Sequence, residues 1–145
     1  MVSELIATLA SGIFAGAAIY INLVEQPARL ACGNELAISQ WRPSYKRGTV
    51  MQAPLALIGA LAALLSYSIN RRLGWLVGGL CLLLIIPFTL VVILPTNKKL
   101  QSQEIDLRSD EAGHLLRRWG RLHAVRSILS LTAFVLFLVS LLWRQ

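Results

Sequence analysis

Four long stretches without a charged side chain constrain this sequence more than any other feature. They cover residues 5–24, 48–70, 73–97 and 127–143. A helix needs about 20 apolar residues to cross the hydrocarbon core of a bilayer, and backbone polar groups in lipid must be satisfied within the segment itself. The sequence therefore predicts an all-α, integral membrane four-helix bundle, with spans near 5–24, 50–69, 74–94 and 123–143.

The composition indicates a membrane protein of one domain, covering residues 1–145. Hydrophobic residues make up 56% of the 145 residues and charged residues 14%, whereas about a quarter of a typical soluble domain is charged. The net charge of +7 would suit a nucleic-acid partner, but the basic residues lie between apolar spans, where they orient a membrane protein. We therefore expect the lipid bilayer, and no nucleic acid, as the partner of this surface.

The connections between the spans are unequal in length. Residues 71–72 are expected to form a tight turn, whereas residues 25–49 and 95–122 are long and charged. In a chain of four spans, these two long loops must lie on the same side of the bilayer. Ser109 precedes two acids and is a good N-cap, so an amphipathic helix over about 110–122 is expected to lead into the fourth span.

Lysine and arginine are distributed unevenly between the two sides. Of the 14 basic residues, three lie opposite the long loops, namely Arg71, Arg72 and Arg144, and Arg126 lies just inside the fourth span. The positive-inside rule then predicts cytoplasmic long loops, with both termini outside the cell (inner) membrane. The ten basic residues on the long-loop side are Arg29, Arg42, Lys46, Arg47, Lys98, Lys99, Arg108, Arg117, Arg118 and Arg121.

Polar side chains accumulate at one end of every span. Because consecutive spans alternate in direction, these four ends meet at the same membrane interface. Apolar walls, a few convergent polar groups and long loops above them are typical of a small-molecule pocket. The candidate residues at this interface are Asn22, Glu25, Arg29, Tyr45, Arg47, Gln52, Asn97, Trp119, His123 and Arg126.

Trp119, His123 and Arg126 lie at i, i+4 and i+7, on one face of the fourth helix. Ionisable groups inside a span usually mark function. Since a protonated His123 would lie beside Arg126, a neutral imidazole that is available as a base is the simpler assumption. The structural alternative is that Arg126 extends to the headgroups and that Trp41, Tyr45 and Trp119 belong to an interfacial aromatic belt.

The mid-membrane parts of the spans carry no ionisable side chain, which argues against an ion-coupled pump. No cluster of cysteine and histidine has the spacing of a zinc site, so no metal is expected. Cys32 and Cys81 fall at different depths, which argues against a disulfide.

Six segments, in order along nearly the whole chain, resemble a small family of four-span membrane proteins that includes the fungal anthrone oxygenases. The most specific are Pro87-Phe88-Thr89 followed by Pro95-Thr96-Asn97, and the Trp-x-x-x-His-x-x-Arg stretch from Trp119 to Arg126. The matching segments are residues 16–20, 22–27, 40–48, 86–89, 94–100 and 119–126.

The resemblance implies oxidation of an anthrone to an anthraquinone by molecular oxygen. Such a reaction needs a base, a partner for an enolate oxygen and a dry pocket, but no cofactor. We expect His123 to be the base, Arg126 or Arg47 to stabilise the enolate, and Glu25 to orient an arginine. The small apolar substrate is expected to contact Asn22, Arg29, Tyr45, Gln52, Asn97 and Trp119.

The same residues are compatible with other functions. Haem ligated axially by His123 would make the chain a redox protein. A non-enzymatic protein would use the same polar groups and the basic rim to bind a lipid headgroup or a partner. The small-residue pairs Gly12/Gly16 and Gly74/Gly78 allow close approach of helices and leave a homo-dimer possible.

Overall fold

The computed structural model describes residues 1–143 and consists of four long helices, each long and apolar enough to cross a membrane. Arg144 lies outside the described residues. Each helix packs against its neighbour in the chain, and the fourth helix closes the ring against the first. The expected all-α membrane bundle is therefore confirmed. The helices are α1 (Val2–Ala31), α2 (Asn34–Asn70), α3 (Leu73–Gln101) and α4 (Asp110–Leu142).

Large apolar side chains cover the outside of the bundle. Leu9, Val50, Val91 and Ile128, one from each helix, are 65–76% exposed. A water-soluble bundle of this size would not leave such a continuous apolar surface uncovered. This surface is suited to contact with lipid.

The helices approach one another closely where glycine faces a larger side chain. A Cβ atom added at Gly74 would clash with Ser140 Oγ, and one added at Gly78 would clash with the ring of Phe137. Both glycines therefore pack against α4 within the bundle. Gly12 packs in the same way against Phe134 on α4, whereas nothing lies within 4 Å of a Cβ at Gly16.

The charged segments expected as long loops are mostly helical. Only Cys32 and Gly33 separate α1 from α2, and residues 102–109 separate α3 from α4. Both connections lie at the same end of the bundle, which we call the charged end. Ser109 caps α4 as expected, since its Oγ accepts from Ala112 N at 3.1 Å.

An apolar cluster at the charged end explains why the helices continue beyond the apolar runs. Ala37, Ile38 and Trp41 on α2 share one helical face and are almost completely buried. This face packs against Leu100 and Leu116 on α3 and α4. The charged residues in this part of α2 therefore do not indicate a loop, because they occupy the other faces of an amphipathic helix.

Two side-chain contacts hold the connection 102–109 in place. Arg42 Nε donates to Leu100 O at 3.0 Å and Arg42 Nη2 donates to Ser102 O at 2.7 Å, which satisfies carbonyls at the C-terminus of α3. Arg108 Nε donates to Glu35 Oε2 at 2.8 Å. This hydrogen bond and the charge of Glu35 raise the pKa of Arg108 above its ordinary value.

Two π-helical segments interrupt α1 and α3 at the charged end. In the segment Ile21–Glu25, Gln26 N donates to Ile21 O, and in the segment Thr89–Ile93, Leu94 N donates to Thr89 O. A proline, which has no N–H to donate, follows each of these donors by one residue. Such wide turns are frequent at functional sites because they re-aim the following side chains.

Candidate active site

His123 is buried and bonded to α1 by a side chain that determines its tautomer. Asn22 Nδ2 donates to Gly120 O at 2.8 Å, and since a carbonyl can only accept, this contact orients the amide of Asn22. Asn22 Oδ1 then faces His123 Nδ1 at 2.8 Å and must accept a hydrogen from it. A neutral His123 therefore carries its lone pair on Nε2, and no hydrogen bond involves Nε2 among residues 1–143.

Two amides on α1 bind α4 one turn apart. Asn22 binds Gly120 O, and Gln26 Nε2 donates to Leu116 O at 3.0 Å. A Cβ at Gly120 would lie 3.2 Å from Gln26 Cγ and Nε2. The absence of a side chain at Gly120 thus allows α1 to approach closely enough for Asn22 to reach His123.

Arg126 lies one turn after His123 and has few partners. Its Nη2 donates to Gln52 Oε1 at 2.7 Å, and its guanidinium lies 5.4 Å from the ring centre of Phe14. The buried Nε of Arg126 has no hydrogen-bond partner, and no carboxylate forms an ion pair with this arginine among the described residues. A cation with unused donors in an apolar setting is a strong site for a developing negative charge.

Arg29, in contrast, is almost saturated. Its Nε donates to Gln40 Oε1 at 2.5 Å, its Nη1 to Gln26 Oε1 at 2.7 Å, and its Nη2 to Glu25 Oε1 at 2.6 Å. Glu25 Oε1 also accepts from Gln40 Nε2 and from Ser44 Oγ, each at 3.0 Å. This network ties α1 to α2 and directs Glu25 to Arg29, and not to Arg47 or Arg126.

Three aromatic rings form the wall between Arg29 and His123. Trp41 stacks on Tyr45 with ring centres 5.0 Å apart and meets Trp119 edge-on at 5.5 Å. Trp119 in turn lies 4.9 Å from the His123 ring and under the Arg29 guanidinium at 5.9 Å. Trp41 and Trp119 are 0% and 4% exposed, so they belong to the core at the charged end and not to a lipid-facing belt.

Three adjoining cavities surround these residues. The first, which we call the His123 cavity, has a volume of about 20 Å³ and is lined by His123, Arg126, Trp119, Tyr45 and Gln52, among others. Arg29 also lines it. This cavity is far smaller than a ligand pocket, which is typically about 300–1,000 Å³ in volume.

A larger groove, which we call the α1–α2 groove, adjoins the His123 cavity. It has a volume of about 500 Å³. Ile21, Ser44, Gly48 and Gln52 line both the groove and the His123 cavity. The two spaces therefore meet at these four side chains.

A third space, the inner cavity, lies on the other side of Arg126. Its volume is about 160 Å³, and Phe14, Ala53 and Ala56 contribute to its mostly apolar lining. Tyr45, Thr49 and Arg126 line both this cavity and the His123 cavity.

The structure brings together most of the side chains chosen from the sequence, but not all of them. Asn22 binds His123 directly, and Glu25 lies in the α1–α2 groove as the partner of Arg29. Arg47 is exposed on the rim of the same groove. Asn97 is fully buried, but lines none of these three cavities, and neither its Nδ2 nor its Oδ1 has a hydrogen-bond partner within residues 1–143.

Several contributing residues were not chosen from the sequence. Gln26, Gln40 and Ser44 complete the network around Arg29. Ser127 Oγ donates to Asn22 Oδ1 at 2.7 Å. Its position four residues after His123 on the same helical face was a signal that could have identified it.

No group of three or more His, Cys, Asp or Glu side chains is arranged to hold a metal ion in the described part of the chain. The polar groups that line the His123 cavity are one imidazole, two guanidinium groups, one amide and three hydroxyl groups, beside the indole rings of Trp41 and Trp119.

Comparison with known proteins identifies a family. The family model described as anthrone oxygenase matches residues 41–136, which include Tyr45, Gln52, Asn97, His123 and Arg126. No solved structure matches the chain significantly.

Similar proteins are found among fungal enzymes. An anthrone oxygenase of Claviceps purpurea is 26% identical over 148 residues, covering 90% of this chain and 84% of its own. Anthrone oxygenases of a Cryptosporiopsis species and of Paecilomyces divaricatus are each 29% identical over 90% of this chain, covering 80% and 89% of their own lengths. Because each match covers 90% of this chain, it includes at least part of α1 and extends beyond the segment matched by the family model.

Proposed function

The chain belongs to the anthrone oxygenase family, and on this premise we propose that it is a membrane oxidoreductase acting on a small apolar compound of the anthrone class with molecular oxygen. One observation carries the proposal. The bond from His123 Nδ1 to Asn22 leaves Nε2 of the neutral ring as a base, close in sequence and space to a guanidinium with unused donors.

The proposed reaction balances without an additional reductant. An anthrone has a CH₂ group in conjugation with a carbonyl, so removal of one proton gives an enolate that is rich in electrons at that carbon. Electron transfer from this carbanion to O₂ forms a C–O bond and, after protonation, a hydroperoxide. Loss of the second proton from the same carbon breaks the O–O bond and releases water. One oxygen atom enters the quinone and the other leaves as water.

His123 and Arg126 divide this chemistry between them. His123 Nε2 takes the first proton, for which a neutral imidazole is the suitable side chain at neutral pH. Arg126 donates to the enolate oxygen, where its unused donors need no reorganisation. Arg47 is the alternative cation, and its position on the exposed rim makes it the weaker candidate.

The other candidate residues have supporting roles in this proposal. Tyr45, Gln52 and Trp119 line the His123 cavity and contact the substrate. Glu25 and Arg29 hold Trp119 in place from behind, while Asn22 orients the base. Asn97 lines none of the three cavities, so the proposal gives its unpaired buried amide no direct contact with the substrate.

The test is oxygen uptake by the purified chain in detergent, with unsubstituted anthrone as substrate. We expect quinone formation coupled to oxygen uptake, and a loss of roughly 10²- to 10⁴-fold in rate for His123→Ala, the range for removal of a general base. His114→Ala is the matched control, since His114 lies exposed on the same helix. Wild-type uptake no faster than the spontaneous reaction would remove the oxygenase assignment.

Cofactor-free chemistry is part of the proposal, and haem is its rival. The space beside His123 is about 20 Å³, so axial ligation of a haem by His123 would require α2 and α4 to move apart. We expect the purified protein to be colourless. A Soret band that disappears in His123→Ala would favour the haem protein instead.

The orientation in the membrane is also proposed. Exposed basic side chains at the charged end, including Arg117, Arg118 and Arg121, favour a cytoplasmic position next to anionic headgroups. Both termini would then lie on the opposite side of the cell membrane. Protease digestion of the connection 102–109 in vesicles of known sidedness would test this orientation.

A further inference from the structure

The α1–α2 groove is a space of small-molecule size that adjoins the His123 cavity. Its volume of about 500 Å³ lies within the usual range for ligand pockets, about 300–1,000 Å³, whereas the His123 cavity and the inner cavity, at about 20 and 160 Å³, lie below it. A neighbouring pocket of about 440 Å³ is also large enough, but Arg29 alone of its lining residues also lines the His123 cavity, whereas the groove shares four residues with that cavity. We therefore expect the body of a ring system that reacts at His123 to lie in the groove.

The groove is also positioned to receive a ligand from the membrane. Its lining includes Ala17, Tyr20 and Met51, which belong to the apolar runs of α1 and α2. Tyr20 and Met51 are 57% and 46% exposed on the outer surface of the bundle. Glu25 and Arg47 form a polar rim at the charged end of the groove. An apolar ligand dissolved in the bilayer can thus reach the groove laterally without crossing water.

Gly48 lies where the groove meets the His123 cavity. It lines both spaces, together with Ile21, Ser44 and Gln52. A Cβ added at Gly48 would have nothing within 4 Å, so no helix packing requires a glycine at this position. A glycine inside a helix is less favourable than alanine because it loses more backbone freedom on folding, and close approach of another helix does not explain the glycine at position 48.

We propose that the α1–α2 groove is the lateral access route and binding site for an apolar aromatic carbonyl substrate, and that Gly48 is its size-determining residue. The body of the ring system lies in the groove and the reactive carbon passes Gly48 to reach His123. The identity of the ligand class rests on the proposed function. The route itself rests on the four residues that line both the groove and the His123 cavity, and on the open space at Gly48.

Substitutions of graded size test the role of Gly48. We expect kcat/KM for unsubstituted anthrone to fall roughly tenfold or more for Gly48→Ala, as for a methylene-sized clash in a pocket, and further for Gly48→Leu. Neither variant should lose thermal stability, because the added side chain enters open space.

Two matched variants make this test specific. Gly16→Leu adds the same side chain on α1 where nothing lies within 4 Å, and Gly16 lines none of the three cavities. Ala53→Leu narrows the inner cavity instead. Both are expected to keep the wild-type rate. If Ala53→Leu impaired turnover and Gly48→Leu did not, the substrate would enter between α2 and α3, and the proposed route would be wrong.

A labelling experiment separates the route from the reaction. In a chain with Cys32→Ser and Cys81→Ala, His123→Cys places one thiol at the buried site, and its reaction with N-(1-pyrenyl)maleimide in detergent requires no turnover. Gly48→Leu should slow this labelling strongly and Gly16→Leu should not. If Gly48→Leu slows labelling and the wild-type chain shows no oxygenase activity, the route is supported and the proposed function is refuted. Equal labelling rates together with equal turnover in both variants would refute the route.

Discussion

His123 Nδ1 and Asn22 Oδ1 lie 2.8 Å apart, although 101 positions separate the two residues in the chain. The bond joins the face of α4 that carries Trp119 and Arg126 to the π-helical segment of α1. Because the Gly120 carbonyl orients the amide of Asn22, this pair determines which imidazole nitrogen is protonated. The chemistry proposed for His123 therefore depends on the packing of α1 against α4.

Asn22→Leu should impair the proposed base without removing it. The substitution leaves the buried Nδ1–H of His123 without its acceptor, which costs about 1–3 kcal/mol and lets the other tautomer form. We expect a lower kcat with a nearly unchanged KM for anthrone, measured by oxygen uptake.

Ser127→Ala is the control for this substitution. Ser127 also donates to Asn22 Oδ1 at 2.7 Å, but its removal leaves the Asn22–His123 and Asn22–Gly120 bonds in place. A rate for Ser127→Ala as low as that for Asn22→Leu would mean that Asn22 acts through packing and not through the tautomer.

Arg126→Met should lower kcat by roughly 10²- to 10³-fold, the range observed when a donor to a developing oxyanion is removed. Methionine keeps much of the length beside the Phe14 ring but carries no charge and donates no hydrogen bond. The measurement is steady-state turnover of anthrone at saturating oxygen. Arg121→Met serves as the control, since Arg121 is exposed on the same helix; equal losses in the two variants would argue against a specific role for Arg126.

The four helices could be predicted from the sequence because hydrophobic length is a local property of the chain. The shared face of Trp119, His123 and Arg126 was predictable for the same reason, since helical spacing alone defines it. The pairing of Asn22 with His123 was not predictable. It depends on the rotation and register of α1 against α4, which follow from the close contact at Gly120 and from the wide turn at Ile21–Glu25.

The length of the connections was misjudged for a different reason. Charged residues in 25–49 indicated a loop, but a helix with one buried face tolerates charge on its other faces. The spacing of Ala37, Trp41 and Tyr45 at i, i+4 and i+8 was a helical signal within that segment. It becomes decisive only when the partner surface on α3 and α4 is known.

The buried and exposed ion pairs should differ strongly in their contribution to stability. Arg29 is 3% exposed beside Glu25 at 22%, whereas Arg108 and Glu35 are 78% and 50% exposed. Removal of one partner from a buried pair costs about 3–5 kcal/mol, whereas solvent and salt screen an exposed pair, which contributes little to stability. We expect Arg29→Met to lower the thermal unfolding temperature in detergent clearly and Arg108→Met to leave it nearly unchanged.

A double-mutant cycle tests whether Glu25 is the reason for this loss. In Glu25→Gln the carboxylate is already neutral, so Arg29→Met should cost less in that background than in the wild type. Additive losses of stability would show that Arg29 stabilises the fold through Trp119, Gln26 and Gln40 and not through its ion pair.

The close approach at Gly120 is the point where stability and the site are coupled. A side chain at Gly120 would meet Gln26 at 3.2 Å and push α1 away from α4, so Gly120→Leu should destabilise the bundle by about 1–3 kcal/mol, as overpacking does. It should also lower turnover, because the displaced α1 carries Asn22 away from His123. Gly16→Leu, with open space around its Cβ, should have neither effect.

A double-mutant cycle tests whether Gln26 is the obstacle. If it is, Gly120→Leu combined with Gln26→Ala should lose less stability than the sum of the two single losses, since leucine then occupies the room that glutamine leaves. Additive losses in this cycle would instead place the obstacle in the backbone of α1, and the register of the two helices would then rest on a contact other than that between Gly120 and Gln26.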